Sequence, residues 1–302
     1  MSKLSLKLKA KEFIITGELE PKLTIDLEPL VKEAETLKPF VDAANITDNP
    51  GSFSRISALA SSIYVKQKSD IDIIYQITCR DFNRLSIVSN LVGAAAFGIE
   101  NVLAISGDHS ILGDMPHARP VFDLDSAQLV ALINEIRTKN TAFGVKIEVP
   151  QEKSINFTVG IGTNPNSTHP EAELMKIKRK ITLGVDFIQT QVIYDLEKVE
   201  PFLTELKTLN VPIIAGIFPM KNYRTASDFD KYVPGVKVTK DLLEKFKHVE
   251  ENVTDKKLRK EKYDELNAEF FKPLIKELKS KGLVKGIHVM AVDYARIFPK
   301  LF

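Results

Sequence analysis

Eight short apolar runs, separated by stretches of helical spacing, constrain this chain more than any other feature. They lie at Glu12–Leu19, Val41–Thr47, Asp72–Thr78, Asn101–Ser106, Phe157–Ile161, Asp186–Gln191, Val211–Ile217 and Gly286–Val292. An apolar run of this length, with helix before it and a turn after it, reads as a strand buried on both faces of a parallel sheet. Helical spacing fills the gaps. Leu27, Leu30, Val31, Ala34 and Leu37 recur after the first run, and Leu85, Val88, Leu91, Val92 and Ala95 after the third, where Gly98 closes the helix. Asp125 is a candidate cap for the helix carrying Leu129, Leu132, Ile133 and Ile136. Helices are further expected at Ile56–Val65, Glu171–Leu183, Leu196–Leu206, Asn222–Tyr232, Thr239–Val249 and Thr254–Lys281. Eight such units predict an α/β protein, a (β/α)8 TIM barrel, as a single domain over residues 1–302; a doubly wound open sheet is the alternative.

Composition narrows the function classes. Hydrophobic residues make up 44% and charged residues 27% of the chain, as in an ordinary globular protein with a sizeable core. The formal net charge of +2 gives no case for nucleic acid or an anionic membrane as partner. One cysteine permits neither an internal disulfide nor a cysteine metal cluster. The opening MSKLSLKLKAKEF has lysines but no continuous apolar core, so it is not read as a signal peptide, and no run reaches membrane-spanning length. A cytoplasmic protein is expected. The charge run Asp255–Glu265 reads as a solvated helix face.

The residues just past the strands carry the chemistry. They are Glu18 and Glu20; Thr47, Asp48 and Asn49; Cys79, Arg80 and Asp81; Asp108 and His109; Asn164 and His169; Thr190 and Gln191; and Phe218, with Gln76 just inside the third strand. A barrel gathers all of them around one mouth. Polar groups buried there cost energy unless partnered, so a ligand is expected. Asp108 follows Gly107 directly after the fourth strand, where a carboxylate can accept a hydrogen bond from a ring or oppose charge building on it. GxSxG, the P-loop and a strand-linked GxGxxG are all absent, and His109, His117 and His169 match no metal-ligand spacing.

Six stretches together resemble the methylenetetrahydrofolate reductase family. They are ITGELEP (Ile15–Pro21), QITCRDFNR (Gln76–Arg84), LVGAAAFGIENVLAISGD (Leu91–Asp108), HPEAELMKIKRK (His169–Lys180), GVDFIQTQVIYD (Gly184–Asp195) and VPIIAGIFPMKNY (Val211–Tyr223). They occur in family order and span nearly the whole chain. The resemblance implies a flavoprotein oxidoreductase with a flavin, usually FAD, across the barrel mouth. NAD(P)H would reduce the flavin, and the flavin would reduce 5,10-methylenetetrahydrofolate to 5-methyltetrahydrofolate in a ping-pong sequence, a step that serves methionine biosynthesis and one-carbon metabolism.

By resemblance, Glu18 is the general acid, with Glu20 as its neighbouring rival; such a carboxyl needs a raised pKa. Asp108 sits by the flavin and the pterin, Gln191 binds the pterin, and Tyr223 stands where the family has a Phe that packs on substrate. Thr47, Asp48, Gln76, Ser106, Gly107, His169, Glu173 and Lys180 fall at flavin-binding positions, although Lys180 reads almost as well as a solvated helix residue. Three departures bear on this. Ser106 replaces an Arg of well-known bacterial members, Gln76 replaces a His, and the final HVMAVDYARIFPKLF lacks their Asn-Arg pair. These changes leave FMN open in place of FAD. They also leave open a separate electron-delivering subunit in place of direct NADH use, and with it the oligomeric state. A flavin-free pterin-binding methyltransferase barrel and a non-catalytic scaffold are the other readings.

Overall fold

The computed structural model describes residues 1–233 and 236–302. Ten strands occur in chain order: β1 (Ile14–Leu19), β2 (Ala43–Ile46), β3 (Ile73–Thr78), β4 (Asn101–Ile105), β5 (Thr141–Ala142), β6 (Val145–Lys146), β7 (Thr158–Thr163), β8 (Phe187–Val192), β9 (Ile213–Ile217) and β10 (Gly286–Val289). The helices are α1 (Lys3–Ala10), α2 (Glu28–Leu37), α3 (Ala58–Ser69), α4 (Arg84–Ala96), α5 (Ser126–Lys139), α6 (Pro170–Ile181), α7 (Leu196–Lys207), α8 (Tyr223–Tyr232), α9 (Lys240–Asn252), α10 (Lys256–Ser280) and α11 (Phe298–Leu301). Strands β5 and β6 form a small hairpin; the other eight close into a parallel barrel in the order β1-β10-β9-β8-β7-β4-β3-β2. Closure is made by β1 against β10, with Ile14 opposite Gly286 and Thr16 opposite His288. That pairing excludes the open sheet and makes the fold a (β/α)8 barrel.

Side chains alternate across each strand, so the barrel has two cores. Outward residues such as Ile46, Tyr75, Val102, Ile161, Ile188 and Ile217 pack beneath the helices. Inward, Ile14, Ala43, Ile74, Leu103, Phe187 and Ile214 fill the lower end together with Leu4. Gly160 makes room for this layer, because a Cβ there would lie 2.2 Å from the Phe187 ring. Asp125 caps α5 in a full capping box, as its position before the apolar spacing predicts. The charged stretch of α10 is largely exposed, as read.

Two features depart from the sequence reading. Several strands are shorter than their apolar runs: β2 keeps only Ala43–Ile46 of Val41–Thr47, and β10 only Gly286–Val289 of Gly286–Val292. Beyond β10 the chain turns at Asp293, which takes φ 51°, so the apolar run outlasts the ladder. The second departure is α1, a helix where only the lack of a signal peptide was foreseen. It packs against the N-terminal end of the barrel. Leu4 is fully buried, Ser2 donates to Asn101 Oδ1 at 2.6 Å, and the Leu4 amide donates to Asp72 at 3.2 Å. Lys3 and Lys7 reach Asp42 at 3.0 and 2.9 Å.

Removing the Leu4 side chain opens a cavity at the base of a packed layer. Leu4→Ala is expected to destabilise the protein by about 2–4 kcal/mol, read from the urea unfolding midpoint. A midpoint equal to the parent's would show that α1 does not carry the barrel floor.

Candidate active site

The C-terminal ends of the strands form the mouth, and the structure separates the two glutamate candidates there. Glu20 is engaged by Arg55, whose Nε and Nη2 donate to Oε1 at 3.1 and 2.8 Å. Glu18 faces His288 instead, with its Oε2 3.4 Å from Nε2, and its side chain is only 15% exposed. His288 is buried and was not singled out from the sequence; a lone histidine in GIHVMAV reads as core. Its other ring nitrogen lies 2.9 Å from Thr16 Oγ1. Gln189 and Asn45 extend this polar layer across the barrel, Asn45 Nδ2 donating to Gln189 Oε1 at 2.8 Å.

On the opposite wall, Arg80 organises three loops. It grips both oxygens of Asp81 at 2.8 and 2.6 Å and donates to the Asp108 carbonyl at 3.1 Å and the Asn49 carbonyl at 3.2 Å. Gly107 lies against it with φ 83°, and a Cβ there would come within 3.0 Å of the Arg80 Cβ. Only glycine tolerates both conditions. The turn leaves the Asp108 side chain exposed. Ser106 donates to Ser126 Oγ at 3.1 Å, at the start of α5. Cys79 is buried, its thiol pushed up to about 12 by desolvation, which rules it out as a nucleophile at neutral pH.

Thr47 is 3% exposed and its Oγ1 has no hydrogen-bond partner among the described residues. Asp48 next to it is committed inward, since Oδ2 accepts from the Thr78 amide at 3.0 Å and from the Thr78 hydroxyl at 2.9 Å. Burial pushes the Asp48 carboxyl up to about 6, the Thr78 hydrogen bonds opposing. Gln76 points its buried amide from β3 into the barrel interior. Gln191 sits at the register irregularity where β8 meets β9, its Oε1 accepting from the Val192 amide at 3.0 Å. Tyr223 opens α8 and is half-buried.

The remaining predicted residues lie on or before α6. His169 precedes the helix and is exposed. Glu173 ties the helix to the end of β7, Oε1 accepting from Thr163 Oγ1 at 3.0 Å and the Asn164 amide at 3.1 Å. Lys180 is half-buried, and desolvation lowers its amine against the attraction of Glu173. Glu173 makes its ion pair, at 3.7 Å, with Lys176 instead. No group of three or more His, Cys, Asp or Glu suited to a metal occurs among the described residues. No helix among them is long and apolar enough to cross a membrane.

The mouth thus offers an acid held by a histidine, an orphaned hydroxyl and a tight glycine turn, on a scaffold whose profile match decides the family. The profile described as "Methylenetetrahydrofolate reductase" matches residues 3–301. The chain belongs to the methylenetetrahydrofolate reductase family. A relative named "5,10-methylenetetrahydrofolate reductase" from Pectobacterium carotovorum subsp. carotovorum is 22% identical, over 94% of this chain and 87% of its own length. A "Probable methylenetetrahydrofolate reductase (NADPH)" from Caenorhabditis elegans is 24% identical over 66% of this chain, a match that spans 28% of that larger protein. Among solved structures, an "F420-dependent secondary alcohol dehydrogenase in complex with an F420-acetone adduct" shares the fold. Its TM-score is 0.54 at 12% identity, covering 96% of this chain and 97% of that one.

The raised Asp48 carboxyl has a definite pH signature. Its folded value, about 6, lies above the ordinary 3.8. The folded state therefore binds the proton more tightly, and the associated stability is present below pH 4 and lost as pH rises through about 6. Asp48→Asn keeps an acceptor for Thr78 and removes the charge. At pH 8 the variant is expected to be more stable than the parent by on the order of 2 kcal/mol, with the difference closing below pH 4. Urea unfolding across that range checks this, and a less stable variant at pH 8 would contradict it.

Proposed function

We propose that this chain reduces 5,10-methylenetetrahydrofolate to 5-methyltetrahydrofolate, with residues 1–302 acting as one flavin- and folate-binding unit. The observation that carries the reading is Glu18, held at the barrel mouth by His288 in a chain matched from residue 3 to 301 by the family profile. The residues fit a flavin. Thr47 Oγ1 is a buried hydroxyl lacking a partner among the described residues, Gly107 lets backbone approach a flat ring, and Lys180 is an amine suited to a phosphate. When bound, the flavin supplies the hydride that goes to the folate methylene carbon.

The chain's own residues do the rest. Glu18 gives a proton to the ring nitrogen released when the methylene bridge opens to its reactive iminium form. Asp108 hydrogen-bonds the pterin and places negative charge near the flavin. Gln191 orients the pterin, and Tyr223 packs against it. Asp48 and Glu173 support the flavin site through the backbone they pin, while Gln76, Ser106 and His169 line it. FAD is the flavin we assign, NAD(P)H the reductant and the cytoplasm the setting.

A second reading keeps the same barrel as the catalytic subunit of an electron-transfer complex. The loop after β4 favours it: Ile111, Leu112 and Met115 are 67%, 58% and 58% exposed beside the mouth, an apolar patch suited to a partner.

The visible spectrum of the purified protein, followed anaerobically, tests both readings. A flavin spectrum bleached by methyltetrahydrofolate is expected. Bleaching by NADH as well marks a self-sufficient reductase, and no response to NADH points to the partner. Glu18→Gln should keep the flavin and slow the folate step about 10²-fold or more. A protein that takes up neither FAD nor FMN would sink the proposal.

A further inference from the structure

We propose that His288 is a positioning residue for Glu18: its Nε2–H holds Oε2 of the carboxyl group and so assigns the transferable proton to Oε1. The inference deepens the reading of Glu18 as proton donor and rests on it.

The direction of the hydrogen bonds inside the barrel carries the argument. Gln189 and Asn45 form a reciprocal amide pair, Asn45 Nδ2 donating to Gln189 Oε1 at 2.8 Å and Gln189 Nε2 to Asn45 Oδ1 at 3.3 Å. The second hydrogen of Gln189 Nε2 goes to Thr16 Oγ1 at 3.4 Å. An amide nitrogen only donates, so Thr16 accepts there. The Thr16 hydroxyl has one hydrogen, is fully buried, and has His288 Nδ1 at 2.9 Å as its remaining partner among the described residues. That hydrogen must go to Nδ1, which is then bare. The hydrogen of the neutral imidazole therefore sits on Nε2, 3.4 Å from Glu18 Oε2. With the Asn45 and Gln189 amides oriented as they are, the opposite tautomer would direct two donors at Thr16 and leave its buried hydrogen without an acceptor, an arrangement native cores avoid.

Glu18 is thereby made asymmetric. Oε2 receives an N–H, so the acid's hydrogen resides on Oε1, the oxygen that His288 does not engage. In the proton transfer, the Oε1–H bond breaks and an N–H bond forms on the substrate nitrogen. The carboxylate left behind keeps the His288 donor on Oε2, and that hydrogen bond strengthens as the charge develops. His288 itself gives up no proton. Its task is to fix which oxygen reacts and to steady the charge that remains.

The test has two arms. The first is NMR of the resting protein with imidazole-¹⁵N histidine. There are five histidines, and the His288 signals are those lost in His288→Asn. The expected result is a protonated Nε2 and a bare Nδ1, with the Nε2–H resonance shifted in Glu18→Gln. A protonated Nδ1 overturns the proposal.

The second arm uses two variants whose folding is checked by thermal melting. The amide of Gln reaches the Nε2 position, whereas that of Asn reaches only Nδ1. His288→Asn is expected to slow the folate step about tenfold or more with little change in folate KM, and His288→Gln to recover most of the rate. Equal loss in both variants would mean that His288 passes a proton, and would overturn the positioning role. If Glu18→Gln leaves the folate step unchanged, the acid reading of Glu18 falls and the Oε1 assignment with it, while the tautomer result is read independently.

Discussion

Arg80 is the interaction on which the mouth depends. Its side chain is 2% exposed, and a guanidinium so deeply buried costs several kcal/mol unless every direction is answered. Here Asp81 takes the fork, and the carbonyls of Asn49 and Asp108 take one hydrogen each, so that four of the five N–H groups are answered. The loops after β2, β3 and β4 are thus tied to one cation. The Arg80 backbone adds a fourth tie, its carbonyl accepting from the Val121 amide at 2.7 Å where the loop after β4 returns. Even Gly107 follows from it, since the Arg80 Cβ occupies the space a larger residue would need. The position of Asp108 is set by a residue in the preceding strand unit.

Above the apolar floor the barrel interior turns polar. Thr16, Asn45, Gln189 and His288 form a layer in which each side chain answers its neighbour. Such a layer contributes less to stability than an all-apolar one of equal volume, and it tolerates no half-satisfied member. A chain that keeps it at the base of the mouth gives up stability where geometry is needed. Thr47 differs from that layer: its buried hydroxyl has no partner among the described residues, and it faces the region where the family reading sets the flavin.

Much of this was legible in the sequence, for physical reasons that can be named. Parallel strands buried on both faces write themselves as apolar runs, so their number and order could be read, although ladder ends such as those of β2 and β10 depend on pairing and could not. Helix α1 was hidden because KLSLKLKA alternates its leucines like a strand and only Leu4 of it is buried. Strand-end residues could be read as mouth residues from topology alone. Their division of labour could not. Glu20 is distinguished from Glu18 only by Arg55, and His288 meets Glu18 across 270 positions of chain. Asp48 and Glu173 look like ligand contacts in the sequence, yet each gives an oxygen to backbone amides.

The floor made by α1 bears on the timing of events at the other end. Leu4 is fully buried in an apolar layer at the base, and the polar interior lies above it toward the mouth. A ligand lying across that mouth would cover Glu18 and the polar layer from above. On the reading of Glu18 as proton donor, its proton would be loaded before such a ligand binds and replaced most readily once the product leaves.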